Sequence, residues 1–138
     1  MRYLIDTNIF IYLATDLESV DKDVLMILND PENQLFLSTV SAEELVISFN
    51  NKNLLSKYWK TAAEMIDAIE RDYNIGILPV NKEHVKSYAR MRINKAQGHK
   101  DPYDHMIIAH ALTERIPLIS SDTRFPFYRR QGLDLIEN

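Results

Sequence analysis

The chain has 138 residues, of which 46% are hydrophobic and 26% charged. These are ordinary values for one packed domain, taken here as residues 1–138, and they exclude a disordered chain or a coiled coil. The absence of cysteine excludes disulfides, thiolate catalysis and Cys-based zinc sites, and 16 basic against 20 acidic residues give a net charge of −4, so any attraction to a polyanion must be local.

The elements follow in chain order. Met1 to Ala14 begins like a secretion signal, but Asp6 interrupts the apolar run and no small-residue cleavage site follows. No apolar stretch approaches the roughly 20 residues needed to span a bilayer, so no membrane association and a cytoplasmic location are expected. Tyr3-Leu4-Ile5 reads as a strand ending in Asp6-Thr7-Asn8, after which Ile9, Phe10, Tyr12 and Leu13 recur with helical spacing. Asp21 to Leu28 predicts a second helix, stopped by Pro31-Glu32-Asn33, and Leu35-Phe36-Leu37 a second strand. Ser41, followed three residues later by Glu44, marks the start of a third helix running to about Phe49. Asn50 to Asn53 forms a polar turn, and Leu55 to Asp72 reads as a long helix with Trp59, Ala62, Ala63, Ile66 and Ile69 on one side, the second arm of a helical hairpin.

Ile75 to Leu78 is a strand closed by Pro79, and Asn81 to Lys95 a further helix with Val85, Tyr88, Ala89 and Met91 or Arg92 towards the interior. Asp101-Pro102 is a strong helix start, leading into an apolar helix through Thr113 that must lie against a sheet. Pro117 to Ser120 and Leu133 to Ile136 complete the strands. Alternation of this kind predicts an α/β fold, a three-layer α/β/α sandwich with a mostly parallel central sheet.

In such sheets the functional crevice lies beyond the carboxyl ends of the strands. Asp6, Glu44, Asp104 and Asp122 all follow strands or open helices near that edge. Carboxylates gathered there repel unless protons or cations compensate, and a hard divalent cation with oxygen ligands is the natural compensation; it suits phosphodiester hydrolysis without a protein nucleophile. Each acid also has a local explanation. Asp6 suits an Asx turn, Glu44 a capping box with Ser41, Asp104 the positive end of its helix and Asp122 a surface turn beside Arg124; Asp101 is best explained as a helix cap.

The four segments Leu4-Ile5-Asp6-Thr7-Asn8, Leu37 to Leu45, Asp101-Pro102-Tyr103-Asp104 through Ala111, and Leu118 to Asp122 resemble the motifs of PIN domains in their usual order, and their spacing spans nearly the whole chain. The sequence is similar in particular to VapC-like toxins with an Asp-Pro-aromatic-Asp segment before the apolar helix. The resemblance implies that Asp6, Glu44, Asp104 and the less constant Asp122 are catalytic and hold Mg2+, or Mn2+, with Thr7, Asn8 and Ser120 in support. Glu44 is preferred to Glu43 because Leu45 follows it. It further implies a metal-dependent endoribonuclease that uses an activated water and leaves a 3′-hydroxyl and a 5′-phosphate. Transfer RNA is a possible substrate, an antitoxin protein the expected inhibitor and a homodimer the expected assembly.

Lys86, Arg90, Arg92, Lys95, His99 and Lys100 gather positive charge ahead of Asp104. Arg92, Lys95, His99 and Lys100 are candidate contacts for RNA phosphates, against the plainer reading of a solvated surface. His105 and His110 diverge by about 140° around a helix of roughly 3.6 residues per turn, which argues against a zinc pair. Tyr58 and Trp59 offer one core and one exposed aromatic, a possible partner surface, and Arg129-Arg130 is a further basic pair. The rival readings are a PIN-like nuclease that processes RNA or DNA without an antitoxin, and a binding module without turnover.

Overall fold

A computed structural model describes residues 1–52 and 54–138. Five strands, β1 (Arg2–Ile5), β2 (Gln34–Ser38), β3 (Ile75–Leu78), β4 (Leu118–Ser120) and β5 (Leu135–Glu137), form one sheet in the order β3-β2-β1-β4-β5. Every neighbouring pair is parallel, so the sheet carries no antiparallel edge. Six α-helices connect them: α1 (Thr7–Thr15), α2 (Lys22–Asn29), α3 (Thr39–Asn50), α4 (Ala62–Arg71), α5 (Lys82–Arg90) and α6 (Pro102–Glu114). None is long and apolar enough to cross a membrane.

Strand residues alternate between two cores because successive side chains leave opposite faces of a sheet. Tyr3, Ile5, Leu35, Leu37 and Ile119 meet Ile9 and Phe10 of α1, Val24 of α2, Leu45 of α3 and Met65 and Ile69 of α4. Leu4, Leu118 and Leu135 meet Ile107, Ile108 and Ala111 of α6 together with Phe125 and Tyr128. The result is the expected helix–sheet–helix layering. Gly76 on β3 allows its neighbour to pack closely, since a Cβ there would lie 2.8 Å from Phe36 Cδ1.

Several local expectations are corrected. Helix α3 starts two residues before Ser41, because the Ser38 side chain caps it by accepting from the Val40 N–H at 3.1 Å. Ser41 is therefore buried inside the helix and no Ser41–Glu44 capping box forms. The long helix predicted from Leu55 is broken: a 3-10 turn spans Leu54–Lys57, and α4 begins only after Thr61, whose hydroxyl accepts from the Glu64 N–H. Asn51 and Lys52 turn as predicted, while Asn53 lies outside the described residues. Helix α5 ends at Arg90, not Lys95; its inward side carries buried His84 with half-buried Ser87, Tyr88 and Met91, so Tyr88 and Met91 face inward as expected while Val85 and Ala89 are exposed. A 3-10 segment at Phe125–Gln131, absent from the sequence reading, seats Phe125 and Tyr128 in the second core.

Candidate metal centre

The chain runs outward from β1 through β2 to β3 and then crosses to β4 on the other side of β1. Beyond the carboxyl ends of β1 and β4 the connections diverge to opposite sides, the usual ligand position in an open parallel sheet. Asp6 directly follows β1. It is 4% exposed; its Oδ1 accepts from the Thr7 N–H at 2.8 Å, capping α1, and its Oδ2 accepts from the Ser120 hydroxyl at 2.7 Å, at the end of β4. Asp122 lies two residues beyond β4, and its backbone N–H donates to the same Ser120 hydroxyl at 3.1 Å.

Glu44 enters from α3. Its Oε1 accepts from the Thr7 hydroxyl at 2.7 Å, and that hydroxyl lies 2.9 Å from the buried Ser41 hydroxyl. Asp104 enters from the first turn of α6, whose N-cap is Asp101 with Pro102 at the first helical position. Arg124 spans the remaining gap: Nη2 is 2.7 Å from Asp122 Oδ2 and 3.6 Å from Asp104 Oδ2. A continuous line of contacts thus runs from Glu44 through Thr7, Asp6, Ser120, Asp122 and Arg124 to Asp104, joining four distant parts of the sequence.

The electrostatics reflect this crowding. Burial raises the Asp6 carboxyl to about 6, against the opposing bonds from Ser120 and Thr7, with Asp122 and Asp101 adding to the rise. Burial raises Glu44 to about 7, with Asp6, Asp101 and Glu43 contributing. Asp104 is pushed up to about 8 by burial and then by Asp6, Asp101, Asp122 and Glu44. Asp122 is the exception: burial opposes its ionisation, but the Arg124 side-chain and backbone bonds hold it below the usual range. Burial together with the neighbouring carboxylates thus disfavours the charged form of all three acids, most of all Asp104, and a bound cation relieves this. The donor set of carboxylate oxygens suits a hard divalent ion.

Of the expected supporting residues, Thr7 and Ser120 are buried and bonded to the acids, whereas Asn8 is exposed and makes no side-chain bond among the described residues. Arg92, Lys95 and Lys100 are exposed. His99 is not a surface group: it is 1% exposed, with Nε2 3.0 Å from Asp104 Oδ2. The loop folds back at Gly98 (φ +63°), turning the imidazole inward. Glu43 is exposed, its Oε1 3.5 Å from the Tyr103 hydroxyl, and takes no part in the line of contacts. His105 and His110 bond to different partners, the His99 carbonyl and Ser38, as their angular separation requires.

Ser41 and Arg124 were assigned only local roles, in a cap and a turn, and Tyr128 and Asn94 none, yet all four join the network around the acids. Only Arg124 carried a local signal, two residues after Asp122, where the backbone N–H and the guanidinium both reach the same carboxylate.

Comparison with known proteins gives the fold independently. No curated protein matches the sequence. Solved structures with the same fold include VapBC2 from Rickettsia felis bound to a DNA fragment from its promoter, at 18% identity and a TM-score of 0.72, covering 99% of this chain and 98% of that one. VapBC-1 from nontypeable Haemophilus influenzae is 23% identical with a TM-score of 0.68, over 99% and 98% of the two chains. VapBC-5 from Mycobacterium tuberculosis is 19% identical with a TM-score of 0.62, over 99% and 96%. The PIN domain model matches residues 3–131, and the chain belongs to the PIN-domain family.

Proposed function

We propose that the chain, folded as a single domain over residues 1–138, is a metal-dependent endoribonuclease and the toxin of a VapBC-type toxin-antitoxin pair. The observation that carries the reading is the crowding of Asp6, Glu44 and Asp104 at the sheet switch point, with their carboxyls raised to about 6, 7 and 8. Asp6, Glu44, Asp104 and Asp122 would hold Mg2+ or Mn2+. When bound, the ion supplies charge neutralisation at phosphate and acidifies a water. Thr7 and Ser120 fix the orientation of Glu44 and Asp6, and Arg124 anchors Asp122.

The substrate is RNA, with transfer RNA a candidate, and the exposed Arg92, Lys95 and Lys100 are its phosphate contacts. The antitoxin partner is proposed because the structural relatives named above are toxin-antitoxin complexes. A homodimer and a cytoplasmic location belong to the same reading, with Tyr58, 50% exposed beside the half-buried Trp59, as a partner contact.

The test is cleavage of RNA by the purified chain in Mg2+ or Mn2+, beside Asp6→Asn and Asp104→Asn. The wild type is expected to cut and to stop when a chelator is added, while the variants retain little activity. Equal cleavage by all three proteins, or cleavage indifferent to chelator, rejects the mechanism. Purification of the untreated chain with a small protein partner separates the toxin from a PIN nuclease acting alone.

A further inference from the structure

Asp104 is gripped from behind by a chain of hydrogen bonds that ends in the second core. His99 Nε2 lies 3.0 Å from Asp104 Oδ2, and His99 Nδ1 lies 2.9 Å from the Tyr128 hydroxyl. The polarity of this chain follows from counting donors. The Asn94 backbone N–H donates to Tyr128 Oη at 3.1 Å, so the phenol oxygen already serves as an acceptor and has its own proton to give. Among the described residues the acceptor within reach of that proton is His99 Nδ1. His99 is thereby held as the Nε2–H tautomer, and Nε2–H donates to Asp104 Oδ2.

The reverse assignment is costly. With the proton on Nδ1, the Tyr128 hydroxyl proton would have no acceptor among the described residues, in a side chain that is 0% exposed. This bears on a second possibility, because a ring nitrogen of His99 and one carboxylate oxygen each of Asp104 and Asp122 all lie within 4.8 Å of one another, close enough to share an ion. The tautomer that Tyr128 selects has no lone pair on Nε2, so the imidazole acts on Asp104 and not on a cation.

The ring is also fixed in orientation. The His99 backbone N–H donates to the Asn94 carbonyl at 3.0 Å, and the His99 backbone carbonyl accepts from His105 Nε2 at 3.0 Å. His105 in turn faces the Tyr88 hydroxyl through Nδ1 at 3.1 Å, which supplies the proton that sets its own tautomer. Asn94, 1% exposed, ties the loop to the Arg124 carbonyl through its side-chain amide at 3.1 Å.

We propose that His99, set in its tautomer by Tyr128 and the Asn94 backbone, is a positioning residue that occupies Asp104 Oδ2 and directs the other oxygen, Oδ1, to the divalent cation. The inference rests on the metal-nuclease reading above. Hydrogen-bond partners placed behind a metal ligand are worth about 10–100-fold in metal affinity or activity.

The experiment reads Mn2+ binding to the purified chain by titration and by pulsed electron spin resonance. The wild-type complex is expected to show no coupling from a directly bonded imidazole nitrogen. His99→Leu is expected to weaken Mn2+ binding by about 10–100-fold. His99→Gln, which keeps an N–H at the same reach, should stay within about threefold of wild type, and Tyr128→Phe should lose about fivefold or more as the tautomer is released. A directly bonded nitrogen in the wild type would make His99 a ligand and overturn the proposal, as would wild-type affinity in His99→Leu. Should circular dichroism show His99→Leu unfolded, Tyr128→Phe decides, and unchanged affinity there rejects the role. Failure of the wild type itself to bind Mn2+ would instead remove the metal-nuclease reading, and this inference with it.

Discussion

Helix α6 carries two polar clusters across an otherwise apolar layer. At its first turn Asp104 joins Asp6, Glu44 and Asp122 at the open edge of the sheet. Two turns later His110 lies at 0% exposure with its ring 4.0 Å from that of His84, its Nδ1 3.0 Å from the Ser38 hydroxyl and its Nε2 without a hydrogen-bond partner among the described residues. Desolvation acts on both and favours the neutral form of each. It raises the acids to about 6, 7 and 8 and lowers His110 to about 4, with the neighbouring His84 adding to the fall. The clusters differ in what can restore charge. The acids retain lone pairs at the open edge of the sheet, whereas His110 is fully buried, and loss of its proton is the stable solution. One cluster is poised to bind and the other only to pack.

The sharpest way to break this comparison is to exchange the consequences of mutation. Asp104→Asn should reduce RNA cleavage by more than about 100-fold, since partners behind a metal ligand alone are worth 10–100-fold. Its thermal midpoint without metal at pH 8 should be equal to or above wild type. His110→Gln should leave cleavage within about threefold, because it touches no acid of the cup. A stable, active Asp104→Asn or an inactive, folded His110→Gln would show that the two regions are not separate in function.

The second effect is on stability as a function of acidity. For His110 the folded value is depressed, so its contribution is full above the ordinary imidazole value of 6.5 and is lost as pH falls towards about 4. The largest possible size is about 3 kcal/mol for a displacement of that extent. The raised acids have the opposite sign: their contribution is full below the ordinary carboxylate range and lost as pH rises through about 6 to 8. Comparing wild type with His110→Gln by thermal melting from pH 7 to 4 cancels the acids. The wild type should lose more stability on the acid side, and parallel curves would refute the assignment.

Metal should sharpen the contrast at the other end of the scale. Because cation binding displaces protons from the clustered acids, the rise in melting temperature given by Mn2+ should be larger at pH 8 than at pH 6, the underlying stabilisation being about 2.7 kcal/mol where the ion is at 100 times its dissociation constant. A shift independent of pH would mean that the ion binds elsewhere. The smallest expected effect lies at the far end of the same helix. Arg115, exposed, closes α6 in the left-handed region at φ 55°, and Arg115→Gly should stabilise by a few tenths to about 1 kcal/mol with no change in cleavage.

Much of the framework was legible because its signals are local. The strand to Asp6, the Asp101-Pro102 start of α6 and the parallel alternation of strands and helices each depend on residues adjacent in the chain. That the four acids would gather at one edge was legible because all four follow strands or open helices there, and because their segments resemble the motifs of PIN domains. What failed were choices between neighbours. Ser38, Thr39 and Ser41 all offer a hydroxyl for capping, and the length of β2 selects Ser38, freeing Glu44 from its predicted capping role. On α5, apolarity favoured Val85 as the inward residue, but His84 is buried instead because Glu114 and His110 of another helix meet its ring.

The sequence by itself determined which residues alternate, that Asp101 caps α6 and which acids fall at the ends of strands, since these are properties of a few consecutive side chains and backbone groups. Only the tertiary structure decided that Ser120 would hold Asp6 across 114 positions, that Arg124 would reach both Asp122 and Asp104, and that His99 would turn inward behind Asp104. Each of those contacts joins segments whose separation along the chain carries no local pattern, and each exists because the sheet order places β4 beside β1 and lays α6 across them.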